Sequence, residues 1–444
     1  MMHTKKTDMT CGSILTRTLL FALPICLSNI LQQLYSTADT FVIGNYCSSI
    51  SLAAVGTASQ PVDLLLCLFF GIGGGVSILV SQYVGGQDFD SLKKTVSTAT
   101  FFLYGCAIPL TVLGIAAGPL ILKWMQVPED TMEYASVYMR IVFLATLGNM
   151  GYNLNAGILR GMGDSRSSLL FLIISCSVNI VLDLLFVVVF HMDVAGAALA
   201  TAIAMFASWI FSIAYIIKKY PELEFTILPR RFDRHSMAEI IRIGLPLGLN
   251  NSIYSVGHIM MQSLVNLQGS AFMASCTLVN RVTGIANVSI NALGSAATTF
   301  AGQNLGARQI PRLKKGGRQI PLVAGLITCA VGLLVTGFAR PLFSLFTEDS
   351  QVLDLAVLNT CITMPTMWLF AVFSTIVSFA NGIGVIRFPT VINVLMLWAV
   401  RIPAALLIAH VIGGIYIPLS YPISYLFGLA AILTFYRSKQ WKEI

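Results

Sequence analysis

The sequence predicts an all-α integral membrane protein: twelve transmembrane helices forming two six-helix lobes related by a parallel internal repeat. Three observations predict it. Of 444 residues, 56% are hydrophobic and only 10% charged, whereas a soluble domain carries about 25% charged residues. The basic residues keep to alternate loops, and the second half of the chain repeats the first.

Apolar runs of about twenty residues, the length that crosses a bilayer, place the spans at 19–45, 51–80, 97–120, 134–159, 168–190, 194–217, 241–268, 272–304, 320–340, 353–380, 388–410 and 413–436. With both termini cytoplasmic, 22 of the 27 Lys and Arg lie in inner segments, two (Lys123 and Arg340) in outer loops and three (Arg140, Arg281 and Arg401) within spans. The positive-inside rule requires this asymmetry. It accounts for the formal charge of +8 without a nucleic-acid partner, and points to the inner (plasma) membrane and its lipids. The nine cysteines form no CxxC pair and read as small buried hydrophobes. The first apolar run continues past the length of a signal peptide with no small-residue cleavage site, so a retained helix is expected.

The longest polar connection, Lys218 to Arg242, divides the chain into an N-terminal lobe (1–217), a cytoplasmic linker (218–240) and a C-terminal lobe (241–444). One constant shift places Gly73, Gln82, Gly85, Leu92, Lys93 and Lys94 on Gly294, Gln303, Gly306, Leu313, Lys314 and Lys315. One residue more places LPICLSN (Leu23 to Asn29) on LPLGLNN (Leu245 to Asn251). Six spans per half is an even number, so both halves share one orientation.

The stretch LQQLYSTADTFVIG (Leu31 to Gly44) carries Asp39 deep in the first span. A charge at the centre of a membrane helix costs about 2.5–3.5 kcal/mol, so it marks a functional site by default. Asp183, four residues after Asn179 and on the same face of the fifth span, is the second such acid. At about 1.5 Å per residue Asp39 lies roughly 30 Å and Asp183 roughly 22 Å from the cytoplasmic ends of their helices, in the outer half of the bilayer. The pair can line one cavity, hold a proton, or bind Na⁺ through its oxygens. Asp63 reads as a solvated rim position. Lone His258 and His410 read as structural, and Arg281 and Arg401 require partners that the sequence does not name. Pro24 and Pro246, at matching points in the two halves, are candidate kinks, Pro24 being the candidate hinge. GIGGG (Gly71 to Gly75) lacks a preceding strand and a GK[ST], so close helix packing explains it. No Walker A, catalytic triad or HExxH is present. The chain is therefore read as no enzyme and as lacking a cofactor, with an ion gradient as energy source.

The motifs LPICLSN, ADTFVIG (Ala38 to Gly44), SQYVGGQD (Ser81 to Asp88), LRGMGDSR (Leu159 to Arg166), NIVLD (Asn179 to Asp183), VAGAALAT (Val194 to Thr201), AGQNLGAR (Ala301 to Arg308) and VRIPAA (Val400 to Ala405) together resemble the multidrug and toxic compound extrusion (MATE) family. The resemblance implies paired six-helix bundles that export cationic, amphipathic organic compounds in exchange for H⁺ or Na⁺, here as a monomer. It further implies a polar network in the first lobe, at Asp39, Asn155, Asn179, Asp183 and Thr201. Asn155 lies about 15 Å deeper than its supposed partners. Another branch carries acids in its seventh and eighth helices, where this chain has Gln262, Asn266, Asn280 and Asn287; that shifts the expected coupling site to the first lobe. Tyr35, Phe41, Met205, Met260 and Met261 are candidates for a substrate wall. The rival reading is a lipid-linked oligosaccharide flippase of the same superfamily, whose anionic substrate calls for more intramembrane cations than Arg140, Arg281 and Arg401 provide.

Overall fold

The computed structural model describes residues 8–125, 127–229, 231–437 and 441, with the side chains at 49, 63–65 and 68 outside the described set. The rim position expected for Asp63 therefore lies outside the described residues. Among the described residues every regular element is helical. The long helical segments are α1 (Ile14–Tyr46), α2 (Ser49–Gly85), α3 (Phe89–Trp124), α4 (129–161, two stretches meeting at Ala145), α5 (Ser165–Val189), α6 (Asp193–Lys219), α7 (Arg234–Asn266), α8 (Ser270–Gly306), α9 (Ile310–Gly337), α10 (Ser350–Gly382), α11 (Arg387–Val411) and α12 (Gly414–Arg437).

This is a multi-pass membrane fold. Eight of the helices, α1, α3, α5, α6 and α9 to α12, are by length and composition apolar enough to cross a bilayer. The sequence led us to expect twelve such runs. The difference lies in α2, α4, α7 and α8. In α2 the described apolar stretch is the shorter Phe69–Gly85. The other three alternate apolar residues with amides and hydroxyls, as in NMGYNLN of α4 and NNSIYS of α7, which lowers their mean hydropathy. In α4 such residues include the buried Thr146 and Asn155, whereas Asn251, Gln262 and Asn266 of α7 are exposed.

Local chemistry sets the helix ends. Asp88, Asp164 and Asp349 cap α3, α5 and α10 by accepting backbone N–H groups of Ser91 (3.0 Å), Ser167 (3.2 Å) and Gln351 (2.9 Å). The turn between α2 and α3 puts Gln87 at φ 56°, and the turn between α8 and α9 puts Arg308 at φ 54°. Likewise Gly163 before α5 and Gly384 before α11 sit at φ 86° and 85°. The shift that carries Gln87 onto Arg308 is the one that carries Gly163 onto Gly384, and it is the shift of the sequence repeat.

Two compact units arise, Leu27–Gly248 and Asp8–Cys26 with the chain from Leu249 onward. Two helices therefore belong to both. α1 passes from one unit to the other two residues after Pro24, and α7 does so two residues after Pro246. In the C-terminal unit, Phe21 and Ile25 of α1 join Phe300, Ile320, Phe373, Phe379 and Phe435 in one apolar core.

The N-terminal unit is held by small residues. A Cβ at Gly71 of α2 would fall 2.0 Å from the backbone nitrogen of Gly248, and one at Gly75 would fall 2.8 Å from Gly244. The GIGGG run is thus the place where α2 and the first part of α7 meet backbone to backbone, the close approach that drives helix association in lipid. Gly73, between them, has open space around its Cβ position. We therefore expect Gly71→Ala to destabilise the detergent-solubilised protein by about 1–3 kcal/mol through overpacking, read as a lower melting temperature by size-exclusion fluorescence. Gly73→Ala should match or slightly exceed wild type, because it gains helix propensity without a clash.

Candidate functional site

Three helices of the N-terminal unit, α1, α5 and α6, bring together Asp39, Asp183, Asn179, Thr201 and Tyr35. Asn179 and Asp183 are one turn apart and both buried. Just beyond Asp183 the helix widens into a π-turn over Leu184–Val189, a distortion frequent at functional sites. With its amide nitrogen facing the carboxylate, Asn179 donates to Asp183 Oδ2 at 2.8 Å, and its carbonyl accepts the Thr201 backbone N–H at 3.2 Å. The Thr201 hydroxyl lies 3.3 Å from the hydroxyl of Tyr35, which stands one turn before Asp39 on α1.

The Asp39 and Asp183 carboxyls are within hydrogen-bonding reach of each other. One oxygen of each, Oδ1, is buried and lacks a partner. Two touching carboxyls out of water hold a single negative charge far more easily than two. Chemically, a proton or a cation can complete such a pair, and the surrounding oxygens of Asp39, Asp183, Thr201 and Tyr35 are the hard donors that Na⁺ prefers. Among the described residues no group of three or more His, Cys, Asp or Glu could hold a metal ion.

Asn155 does not join these residues. Its amide donates to Ser212 Oγ at 2.8 Å, eleven residues beyond Thr201 on α6 and thus roughly 16 Å along the axis. It belongs instead to a second polar cluster of the N-terminal unit, at the far end of α6, which the sequence reading missed. There Asp164 accepts from Lys219 Nζ (2.8 Å), Ser167 Oγ (2.7 Å), Tyr215 Oη (3.2 Å) and Tyr220 Oη (2.7 Å). Burial alone would raise the Asp164 carboxyl, but the bonds from Lys219, Ser167 and Tyr220 outweigh it and hold the group below the usual carboxylate range. The only signal in the sequence was an acid at an N-cap, inside the motif LRGMGDSR.

The remaining expectations sort by place. Pro24 is buried in the part of α1 that belongs to the C-terminal unit. Of the substrate-wall candidates, Tyr35 joins the carboxyl pair and Met261 faces a cavity of the C-terminal unit. Met205 is half-buried, and Phe41 and Met260 are exposed. The cavity has a volume of about 290 Å³; Gln262, Asn280 and Asn287 line it, as does His258. Arg281 is exposed. Arg401 is buried, and its partner is no carboxylate. Nε donates to Ser424 Oγ at 3.0 Å, Nη1 to Tyr254 Oη at 3.4 Å, and the guanidinium lies over the rings of Tyr421 (4.6 Å) and Tyr425 (5.3 Å).

A family profile described as MatE matches residues 24–185 and again 246–407. The chain belongs to the MatE family. The second match begins at 246 against 24 and ends at 407 against 185, so one shift relates both ends, and it is the shift that aligns LPICLSN with LPLGLNN. Its curated relatives include the probable multidrug resistance protein YoeA of Bacillus subtilis, 29% identical over 435 residues, with 96% of this chain and 93% of that protein covered. The probable multidrug resistance protein NorM of Thermotoga maritima is 25% identical, covering 86% of this chain and 83% of its own. Among solved structures, a MATE protein in the bent conformation superposes with a TM-score of 0.91 at 21% identity, over 99% of both chains. These solved relatives share the fold.

The Asp164 cluster yields a stability prediction. Removing one partner of a largely buried charge pair costs about 3–5 kcal/mol, so Asp164→Ala should lower the melting temperature at pH 7 by several degrees. Because the folded-state value is depressed, this contribution is complete above the ordinary carboxylate range and lost as pH falls through the folded value. The gap between wild type and Asp164→Ala, measured by differential scanning fluorimetry, should therefore narrow in acid.

Proposed function

We propose that this MatE chain is a secondary antiporter of the inner membrane that exports cationic, amphipathic organic compounds in exchange for H⁺ or Na⁺. The observation that carries the proposal is the contact between Asp39 and Asp183, with one buried oxygen on each left without a partner. Such a pair sits at low cost only when a proton, Na⁺ or an organic cation completes it. Ion and drug then compete for one negative site, and that competition is the essence of antiport. Family membership and relatives named as multidrug resistance proteins support the export reading. The chain is a transporter and not an enzyme.

Architecturally, the reading has twelve spans in two six-helix lobes, 1–217 and 241–444, joined by a cytoplasmic linker at 218–240, with both termini inside and the protein working as a monomer. The doubled family match and the recurring left-handed turns support the repeat, and the distribution of Lys and Arg supports the orientation. Outward-facing, Asp39 and Asp183 take up the ion, with Asn179 and Thr201 orienting the carboxyls. Neutralising the pair alters the packing of α1 on α5 and α6, with Pro24 as hinge, and the drug leaves. Return of the ion to the cytoplasm resets the cycle. Asn155 stands outside the coupling group and holds α4 to α6.

Ethidium efflux from energised cells and everted vesicles tests this, with a proton or a sodium gradient imposed in turn. Asp39→Asn and Asp183→Asn should each lose at least tenfold in gradient-driven efflux, under the one gradient that drives wild type. Full efflux in Asp39→Asn would overturn the coupling role. Asn179→Ala should weaken the dependence on the coupling ion, while Asn155→Ala should change the melting temperature and leave ion dependence in place.

A further inference from the structure

The two units differ in the sign of the uncompensated charge they bury. In the N-terminal unit it is the Asp39–Asp183 pair. In the C-terminal unit it is Arg401, 1% exposed at the end of a π-turn over Met396–Arg401. The described acids of that unit, Asp8, Glu348, Asp349 and Asp354, are all exposed, and Asp354 pairs with Arg340 at 3.2 Å. None of these reaches Arg401. Its Nη2 is buried with no partner, and the Ser424 hydroxyl that accepts from Nε spends its own proton on the Tyr421 carbonyl at 2.8 Å. Ring faces and two neutral hydroxyls attract a guanidinium, but they do not neutralise it.

The missing counter-charge has a place to come from. Tyr421 and Tyr425, whose rings carry the guanidinium, also wall the cavity of about 290 Å³. Arg401 therefore stands one layer of side chain behind that wall. The rest of the lining is largely apolar, with the amides and hydroxyls of Asn280, Asn287, Asn359 and Thr283 and the imidazole of His258 set into it, and no acid. Neutral N–H and O–H donors backed by a buried cation make a site for a negative group, and the volume is at the small end of ligand pockets. In lipid surroundings, where water screens little, a cation at this distance acts strongly on the cavity.

We propose that the cavity of the C-terminal unit binds the anionic group of an amphiphilic organic solute, a carboxylate or phosphate, with Arg401 as its counter-ion. The substrate range then includes zwitterions and organic anions beside the cations proposed above, and this site works independently of the ion coupled at Asp39 and Asp183.

The test uses the purified full chain in detergent, with binding of ciprofloxacin and of its ethyl ester read by fluorescence anisotropy. The two probes differ in the carboxylate. Wild type should bind the acid at least tenfold more tightly than the ester. Arg401→Met should bring the two affinities together, and Arg401→Lys should keep part of the preference. If Arg401→Met does not fold, Thr283→Met decides: it fills the cavity without touching the guanidinium, and should weaken acid binding at least tenfold. Equal affinity of wild type for acid and ester would overturn the proposal, as would a preference untouched by either Arg401→Lys or Thr283→Met. Dihexanoyl phosphatidylglycerol, added as competitor, separates the sources: displacement of the acid points to a lipid headgroup, and its absence beside an intact acid preference points to a free solute.

Discussion

Lipid tails donate and accept no hydrogen bonds, and most of what this chain does with its residues follows from that. Wherever it takes polar atoms into a membrane helix it must supply their partners itself. Asn179 bridges Asp183 to the backbone of Thr201, Ser424 receives Arg401, and Ser212 receives Asn155. Association of the helices meets the same constraint from the apolar side. With no hydrophobic drive between helices in lipid, contact area and close approach must do the work. The glycines of α2 against those of α7, and Gly151 of α4 beneath Trp209 of α6, are the result.

Against this background the exceptions carry the two proposals made above. Among the described residues the chain leaves a few polar atoms unmet, and those on the carboxyls and the guanidinium are the costly ones: Oδ1 of Asp39, of Asp183 and of Asp193, and Nη2 of Arg401. A buried charge without a partner inside the protein is costly, and a ligand of opposite charge relieves that cost. The negative one suits small ions and organic cations. The positive one, in the other unit, suits the opposite end of an amphiphile. Under the two proposals, a transporter that buries one sign in each unit handles solutes that a single charged pocket would repel.

Much of the fold was legible in the sequence, because hydropathy and a repeat at a fixed shift are one-dimensional signals. Asp39 and Asp183 could be paired from the sequence itself, since depth along a helix is countable at about 1.5 Å per residue. The same count set Asn155 apart, and the structure seats it with Ser212. What could not be counted was rotation about the helix axes. Nothing in the spacing of Tyr254, Arg401, Tyr421 and Tyr425 says that the three rings gather at one guanidinium. The Asp164 cluster draws Lys219 and Tyr220 from 55 and 56 residues away, across two helices, and its acid looked like an ordinary cap. Hydropathy marks α4, α7 and α8 less clearly than the other helices for a related reason: averaging over a turn hides which side of a helix is polar.

The shared ownership of α1 and α7 bears on how such a chain arose. If a duplicated ancestor fused two copies of one gene, a cut in the 218–240 linker would recover two polypeptides of nearly equal length. Neither would be a finished body. The first would lack the opening turns of α7 that lie on its glycines, and the second would lack the opening turns of α1 that complete its aromatic core. Each half is built around a piece of the other, so fusion converted two separable partners into one indivisible molecule, in which neither copy can be lost, replaced or shuffled by itself.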